Sequence, residues 1–201
     1  MSKHISIQPY YRFEDRLWKV NAGEFKPIYS LHLRKIIEQI HLMRNTYRRV
    51  FVTFFDLHLP INIKINNLVT SFIRRLRTKL KCIYNIKKFG FSWCREQNIS
   101  ETPHYHFMLM VNGSVINYPE KLMKLIKFLW EEVSNGSARQ SENGYYMIFR
   151  EDEQVMAEVI YRASYQAKLR TKSNRPTQTK TYGTSRLKKL LIIKKDQKNE
   201  G

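Results

Sequence analysis

Two short patterns in this chain hold residue types capable of chemistry. The first is His104-Tyr105-His106. Alternate residues of a strand face the same side, so two imidazoles would project together, an arrangement that suits a divalent metal. The pair opens the apolar run HYHFMLMV, and the segment before it, 89–97, reads as a strand carrying Glu96. If these two strands pair across the polar turn 98–103, the Glu96 carboxylate reaches the same ion. Two imidazoles and a carboxylate suit Mg2+ or Mn2+, with positions left open for phosphate oxygens. The plainer reading is two unrelated surface histidines, with Glu96 a solvated partner of Arg95 or another basic residue.

The second pattern is Tyr161-x-x-x-Tyr165-x-x-Lys168. On a helix, residues four and then three apart share one face, which predicts both phenols and the ammonium on one stripe. A phenol is a poor nucleophile at its ordinary pKa near 10. It can attack phosphorus when a metal polarises the phosphate and a cation steadies the developing charge. Lys168 is spaced for that second task. The alternative is that Tyr161 and Tyr165 are amphipathic core residues.

These patterns sit in a strongly basic chain of 201 residues, the length of one domain with short extensions. Lys and Arg number 36 against 17 Asp and Glu, a net charge of +19, which fits a polyanionic partner and most simply nucleic acid. A membrane surface is the other polyanion to weigh. No run approaches the length of a transmembrane helix, and the opening MSKHISIQPYYRFEDR holds no apolar signal region, so a cytoplasmic protein is expected. Cys82 and Cys94 form no CxxC pair and are expected to be reduced structural residues.

The elements that must position the two patterns follow from periodicity. Residues 1–28 have weak periodicity and read as an N-terminal arm. Leu33, Ile36, Ile37, Ile40 and Met43 predict an amphipathic helix over 30–48. The β-branched and aromatic run 50–55 predicts a buried strand, ended by Asp56-Leu57-His58-Leu59-Pro60. A helix is expected over 63–81, bearing Arg74, Arg75, Arg77, Lys79 and Lys81 on its polar side. Strands 89–97 and 104–111 follow, then a helix opened by Pro119 and running to about 133. Asn143-Gly144 reads as a turn before a strand over 145–149, and a helix is expected from 152 to about 172. Residues 187–201 read as a basic tail. Strands joined by short turns pair antiparallel, so the expected fold is α+β, a central antiparallel sheet flanked by helices over 29–186.

Taken together, a His-x-His strand followed by a helix with Y-x-x-K resembles the HUH endonuclease superfamily of replication initiators, relaxases and transposases. The doubled tyrosine resembles the rolling-circle initiators of isometric single-stranded DNA phages. Closer still, the segments VFVTFFDLHLP, FSWCREQ, TPHYHFMLMVNG, IYRASYQAKLRTK and TYGTSR, in that order over about 30–186, resemble the inovirus gene-two-like family, or YagK/YfjJ C-terminal domain. The resemblance implies a Rep-like HUH fold. It implies His104 and His106 as metal ligands, Glu96 as the third, Tyr165 and Tyr161 as nucleophiles and Lys168 as their cationic helper. Asp56 and His58 match the family's first motif without an assignable role.

The implied activity is metal-dependent nicking and rejoining of DNA through a tyrosine-phosphodiester intermediate, as in rolling-circle replication of a phage, prophage or plasmid. Single-stranded or nicked origin DNA would be the substrate, and a host helicase and polymerase would complete replication. A non-enzymatic DNA-binding regulator and a transposase of the same chemistry are the alternatives. Arg139, Arg150, Arg162, Arg170, Lys172, Arg175, Lys180 and Arg186 flank the site in sequence as a phosphate track, with Tyr145, Tyr146 and Tyr182 able to stack on exposed bases.

Overall fold

A computed structural model describes residues 4–61, 66–96, 102–169 and 180–188. Two short antiparallel pairs open the chain: β1 (Ile5–Ser6) with β4 (Ile28–Tyr29), and between them in sequence the hairpin of β2 (Tyr10–Phe13) and β3 (Arg16–Lys19). There follow α1 (Ser30–Thr46), β5 (Arg49–His58), α2 (Asn67–Tyr84), β6 (Gly90–Glu96), β7 (His104–Asn112), α3 (Pro119–Ser134), β8 (Ser137–Phe149), α4 (Glu153–Ala163) and β9 (Tyr182–Thr184). The main sheet runs β8-β5-β7-β6-β9 with every neighbour antiparallel. The α+β class and the flanked antiparallel sheet are as the periodicity predicts.

Strand alternation divides the core in two. Phe51, Phe55 and Leu57 of β5 and Tyr105, Phe107 and Leu109 of β7 turn to one face, where Val69, Phe72, Leu76 and Leu80 of α2 and Leu122, Ile126 and Trp130 of α3 cover them. Val50, Val52, Phe54, Met108 and Met110 turn to the other, under Leu33, Ile36, Ile37 and Ile40 of α1 and Met156, Val159 and Ile160 of α4. Each fully buried side chain of this size contributes about 1.5–3 kcal/mol. The second face also takes in the N-terminal segment: Trp18, Val20 and Ile28 are buried there. Glu153, in the first turn of α4, binds Arg44 of α1 (2.6 Å) and Arg16 of β3, which fastens the β2–β3 hairpin to both helices.

Three local expectations are corrected. First, β5 does not stop at Phe55 but runs through His58, because β7 and β8 pair with it residue by residue to that point. Second, Asn143-Gly144 does not separate a turn from a new strand. It lies within a bulge of β8, between the pairs Thr53–Tyr145 and Phe55–Gln140, and the strand continues on both sides. Asn143 takes a left-handed φ of 46°, and a Cβ on Gly144 would lie 2.4 Å from the Ser141 carbonyl oxygen, so the tight bulge needs glycine there.

Third, the helix over 152–172 is broken. Asp152 caps it as expected, accepting from the Val155 amide at 3.0 Å. It ends at Ala163, and a single 3-10 turn, Ser164–Ala167, follows. Tertiary contacts hold the segment that replaces the end of the expected helix. The Asn21 amide donates to Ser164 Oγ (2.8 Å), Ser92 Oγ donates to Gln166 Oε1 (2.5 Å), and the Leu169 amide donates to the Pro27 carbonyl (2.9 Å). Lys168 is extended and bridges to Ile28. Residues 170–172 of the expected helix, Gln97 with most of the 98–103 turn, and the tail beyond 188 lie outside the described residues.

Candidate metal and tyrosine site

The register of three neighbouring strands assembles the site. On β7, His104 lies opposite His58 of β5 and Glu96 of β6, and His106 lies opposite Asp56 and Cys94. Directly paired residues point to the same sheet face, so one end of the α1/α4 face collects three imidazoles, of His58, His104 and His106, and two carboxylates, of Asp56 and Glu96. The Nε2 atoms of His104 and His106 are 3.2 Å apart, and Glu96 Oε2 is in contact with His106 Nε2 and 3.5 Å from His104 Nε2. Glu96, His104 and His106 thus offer ligand atoms all within 4.8 Å of one another.

The chemistry of this donor set fits a divalent ion. Two nitrogens each about 2.1 Å from one ion, at tetrahedral or octahedral angles, sit roughly 3.0–3.4 Å apart, which brackets the separation of the two Nε2 atoms. Glu96 is 2% exposed, so its carboxylate is held in the wall of the site with little water to solvate it. Asp56, for which sequence reasoning found no role, acts from behind. Its Oδ1 is 2.6 Å from His106 Nδ1, which turns Nε2 of that ring toward the cluster. The two carboxylates also set the protonation of His106. Burial pushes its pKa down, but hydrogen bonds to Asp56 and Glu96, reinforced by their charges, hold it at about 9. His58 stacks on His104 with ring centres 5.4 Å apart, and burial, then the neighbouring His104, push its pKa down.

The 3-10 turn after α4 delivers the tyrosine. The Tyr165 hydroxyl is 3.5 Å from Glu96 Oε2, and its ring meets that of His106 edge-on at 5.3 Å. Burial, and then the Glu96 charge, raise its pKa to about 12. The Lys168 ammonium lies 4.2 Å from the centre of the Tyr165 ring. Burial and Lys26 lower the pKa of Lys168, while Glu96 acts to raise it. The structure therefore brings together Glu96, His104, His106, Tyr165 and Lys168. It does so without the common helix stripe expected for the tyrosines, since Lys168 lies beyond both helical segments.

Tyr161 stands apart from the cluster. It lies on the last turn of α4, is 41% exposed, and has the Lys19 ammonium 5.9 Å from its ring centre. Both tyrosines nevertheless line one groove of about 770 Å³, together with Asp56, His106, Phe54, Tyr146 and Arg162.

The flanking basic and aromatic residues divide. Arg162 is committed to the fold: its guanidinium donates to the Asn143 carbonyl (2.8 Å) and the Glu142 carbonyl (2.7 Å), pinning the β8 bulge. Tyr182 stacks on buried His32 at 4.0 Å. Tyr145 pairs with Thr53 and lies against Phe51 and Tyr118, on the sheet face away from the site. Tyr146 lines the groove beside Phe54. Arg139, next to Asp56 in the ladder, and Arg150, Lys180 and Arg186 are exposed. Arg170, Lys172 and Arg175 lie outside the described residues. Neither Cys82 nor Cys94 forms a disulfide among the described residues, and the first is exposed and the second buried. Among the described residues no helix is long and apolar enough to cross a membrane.

Fold and site together define an α+β domain with a two-histidine, one-carboxylate cluster on an antiparallel sheet and a tyrosine held against it. The model of one family, the YagK/YfjJ C-terminal domain, matches residues 18–185, and the chain belongs to that family. The match begins at Trp18, within β3 of the N-terminal hairpin. No curated protein and no solved structure matches the chain.

Proposed function

We propose that this protein nicks and rejoins DNA through a covalent tyrosine intermediate, as an HUH-type initiator of rolling-circle replication. The observation that carries the reading is the Tyr165 hydroxyl, 3.5 Å from a carboxylate that also faces two convergent histidines. Burial and the Glu96 charge keep this phenol protonated in the metal-free protein, with a pKa raised to about 12, so on this reading its attack depends on a cation bound at the cluster.

Mg2+ or Mn2+, held by His104, His106 and Glu96, would supply Lewis-acid polarisation of the scissile phosphate. Asp56 orients His106 for that task. Tyr165 Oη forms the new bond to phosphorus while the bond from phosphorus to the 3′ oxygen breaks. The phenolic proton is lost from Tyr165, and the departing strand end is completed as a 3′-hydroxyl. The products are a 5′-phosphotyrosine and a primer end for polymerase, and the ester retains the energy needed for rejoining. Lys168, over the Tyr165 ring, favours the charge that develops on the phenol oxygen. Tyr161, further along the same groove, is assigned the second transfer. Single-stranded or nicked origin DNA is the substrate, with helicase and polymerase supplied by a bacterial host.

The test is incubation with labelled single strands tiling the DNA around the gene, with Mn2+, followed by denaturing electrophoresis. A covalent adduct that is lost in Tyr165→Phe is the expected result. No adduct on any strand, with DNA binding intact, would favour a non-enzymatic regulator.

A further inference from the structure

Helix α2 plays no part in the site, yet it has an unusual charge. Its sequence NLVTSFIRRLRTKLKCIY carries five basic residues and no acidic one, whereas α1, α3 and α4 each include glutamates. Its inner face is used in full, with Val69, Phe72, Leu76 and Leu80 in the core. At about 100° per residue, Arg74, Arg77 and Lys81 fall together on the side away from that core, interleaved with Asn67, Thr70 and Thr78, and all six are exposed. Two of the helix's cations have local contacts: Arg75 is 3.4 Å from Glu132, and the Arg77 guanidinium lies 5.6 Å from the centre of the Phe89 ring. The side chains of Arg74 and Lys81 have no ion pair among the described residues.

This outward row of cations, hydroxyls and an amide spans about 21 Å from Asn67 to Lys81 at 1.5 Å per residue. Asn67, Arg74, Arg77 and Lys81 can donate to phosphate oxygens, while the Thr70 and Thr78 hydroxyls donate to the Asn66 and Arg74 carbonyls and line the row as small polar groups. No aromatic stands between Asn67 and Lys81 on this side: of the helix's two, Phe72 is buried and Tyr84, in its last position, packs against the same core. Binders of single strands add base-stacking aromatics to their charge, so a rigid, straight row without them suits the backbone of a duplex. Its position is also informative. The Tyr105 hydroxyl donates to Asn66 Oδ1 at 2.9 Å, so α2 begins behind the strand end that carries His104 and His106, on the opposite sheet face, and runs away from it.

We propose that the outward row of α2 is a docking surface for the sugar-phosphate backbone of duplex DNA, separate from the groove beside Tyr165. It would hold the double-stranded flank of a target by charge and without base readout. The inference goes beyond the nicking reading and does not depend on it.

The chain supplies its own probe, because Cys82 is exposed next to Lys81 while Cys94 is buried. A saturating blunt-ended duplex is expected to protect Cys82 of the full chain from alkylation by N-ethylmaleimide. The double variant Arg74→Gln/Lys81→Gln should bind that duplex on the order of tenfold more weakly, and its slope of log affinity against log salt should be shallower by about two. Formation of the covalent adduct with a short single strand should be unchanged in the double variant. Equal alkylation of Cys82 with and without bound duplex, or an unchanged salt slope, overturns the proposal. So does loss in the variant of binding to phosphatidylserine vesicles while duplex binding stays intact, which would make the row a membrane contact. Should the wild type form no adduct with any strand, the nicking reading fails, while duplex protection of Cys82 still decides this one.

Discussion

Asp56→Asn isolates one interaction at the centre of the site. The substitution keeps the size of the side chain and an oxygen that can accept from His106 Nδ1, but removes the charge at 2.6 Å. Two consequences follow. In the metal-free protein, His106 has its pKa raised from 6.5 to about 9, with Asp56 and Glu96 responsible for the rise against the effect of burial. A group whose folded pKa is raised contributes stability that is fully present below its unfolded value, here about 6.5, and that is lost as pH rises through about 9. At about 1.4 kcal/mol per pH unit the interval corresponds to roughly 3 kcal/mol, as an order of magnitude. Urea unfolding of chelator-treated protein at pH 6 and pH 9.5 should show a loss of this order in the wild type and a clearly smaller one in Asp56→Asn. The same contact acts as an outer-shell partner when an ion is bound, and losing such a partner typically weakens metal affinity by about 10–100-fold. Titration calorimetry with Mn2+ measures that directly. Superimposable pH–stability curves together with an unchanged Mn2+ affinity would refute the role given to Asp56.

Removing either imidazole, by His104→Ala or His106→Ala, should abolish nicking and high-affinity Mn2+ binding while leaving the circular dichroism spectrum native, and chelator should reproduce the loss in the wild type. Tyr161→Phe should still form the covalent adduct but fail to complete strand transfer, read by whether labelled circles accumulate; adduct mapping by mass spectrometry to Tyr161 instead of Tyr165 would reverse the assignment. Gly144→Ala should destabilise the fold by roughly 1–3 kcal/mol, since the added carbon meets backbone oxygen inside the β8 bulge. Its melting temperature compared with that of an Ala substitution at exposed Ser137 provides the check.

Much of this protein follows from local rules. Helix α1 needs only the spacing of Leu33, Ile36, Ile37, Ile40 and Met43 to bury one face, and β7 needs only the alternation that sends Tyr105 and Phe107 to one core and the histidines to the other face. The pairing of β6 with β7 follows from their nearness in sequence, which is why Glu96 could be placed beside His104 from the chain alone. Asp56 could not, because its partner depends on the register of β5 against β7, a contact between residues 50 positions apart. A signal was present, since Asp56-Leu57-His58 alternates as His104-Tyr105-His106 does, but Pro60 made the segment read as a strand end. The position of Tyr165 was likewise a tertiary decision. Helix propensity favours continuing α4 through Lys168, and an unbroken helix would have put both tyrosines on one stripe. Ser164, Gln166 and Leu169 instead find partners in Asn21, Ser92 and Pro27. Hydrogen bonds to distant parts of the chain end the helix early, turn Tyr165 toward Glu96, and leave Tyr161 further along the groove. Residue types and their spacing determined which side chains could do chemistry; long-range pairing, which carries no local periodicity, decided which of them meet.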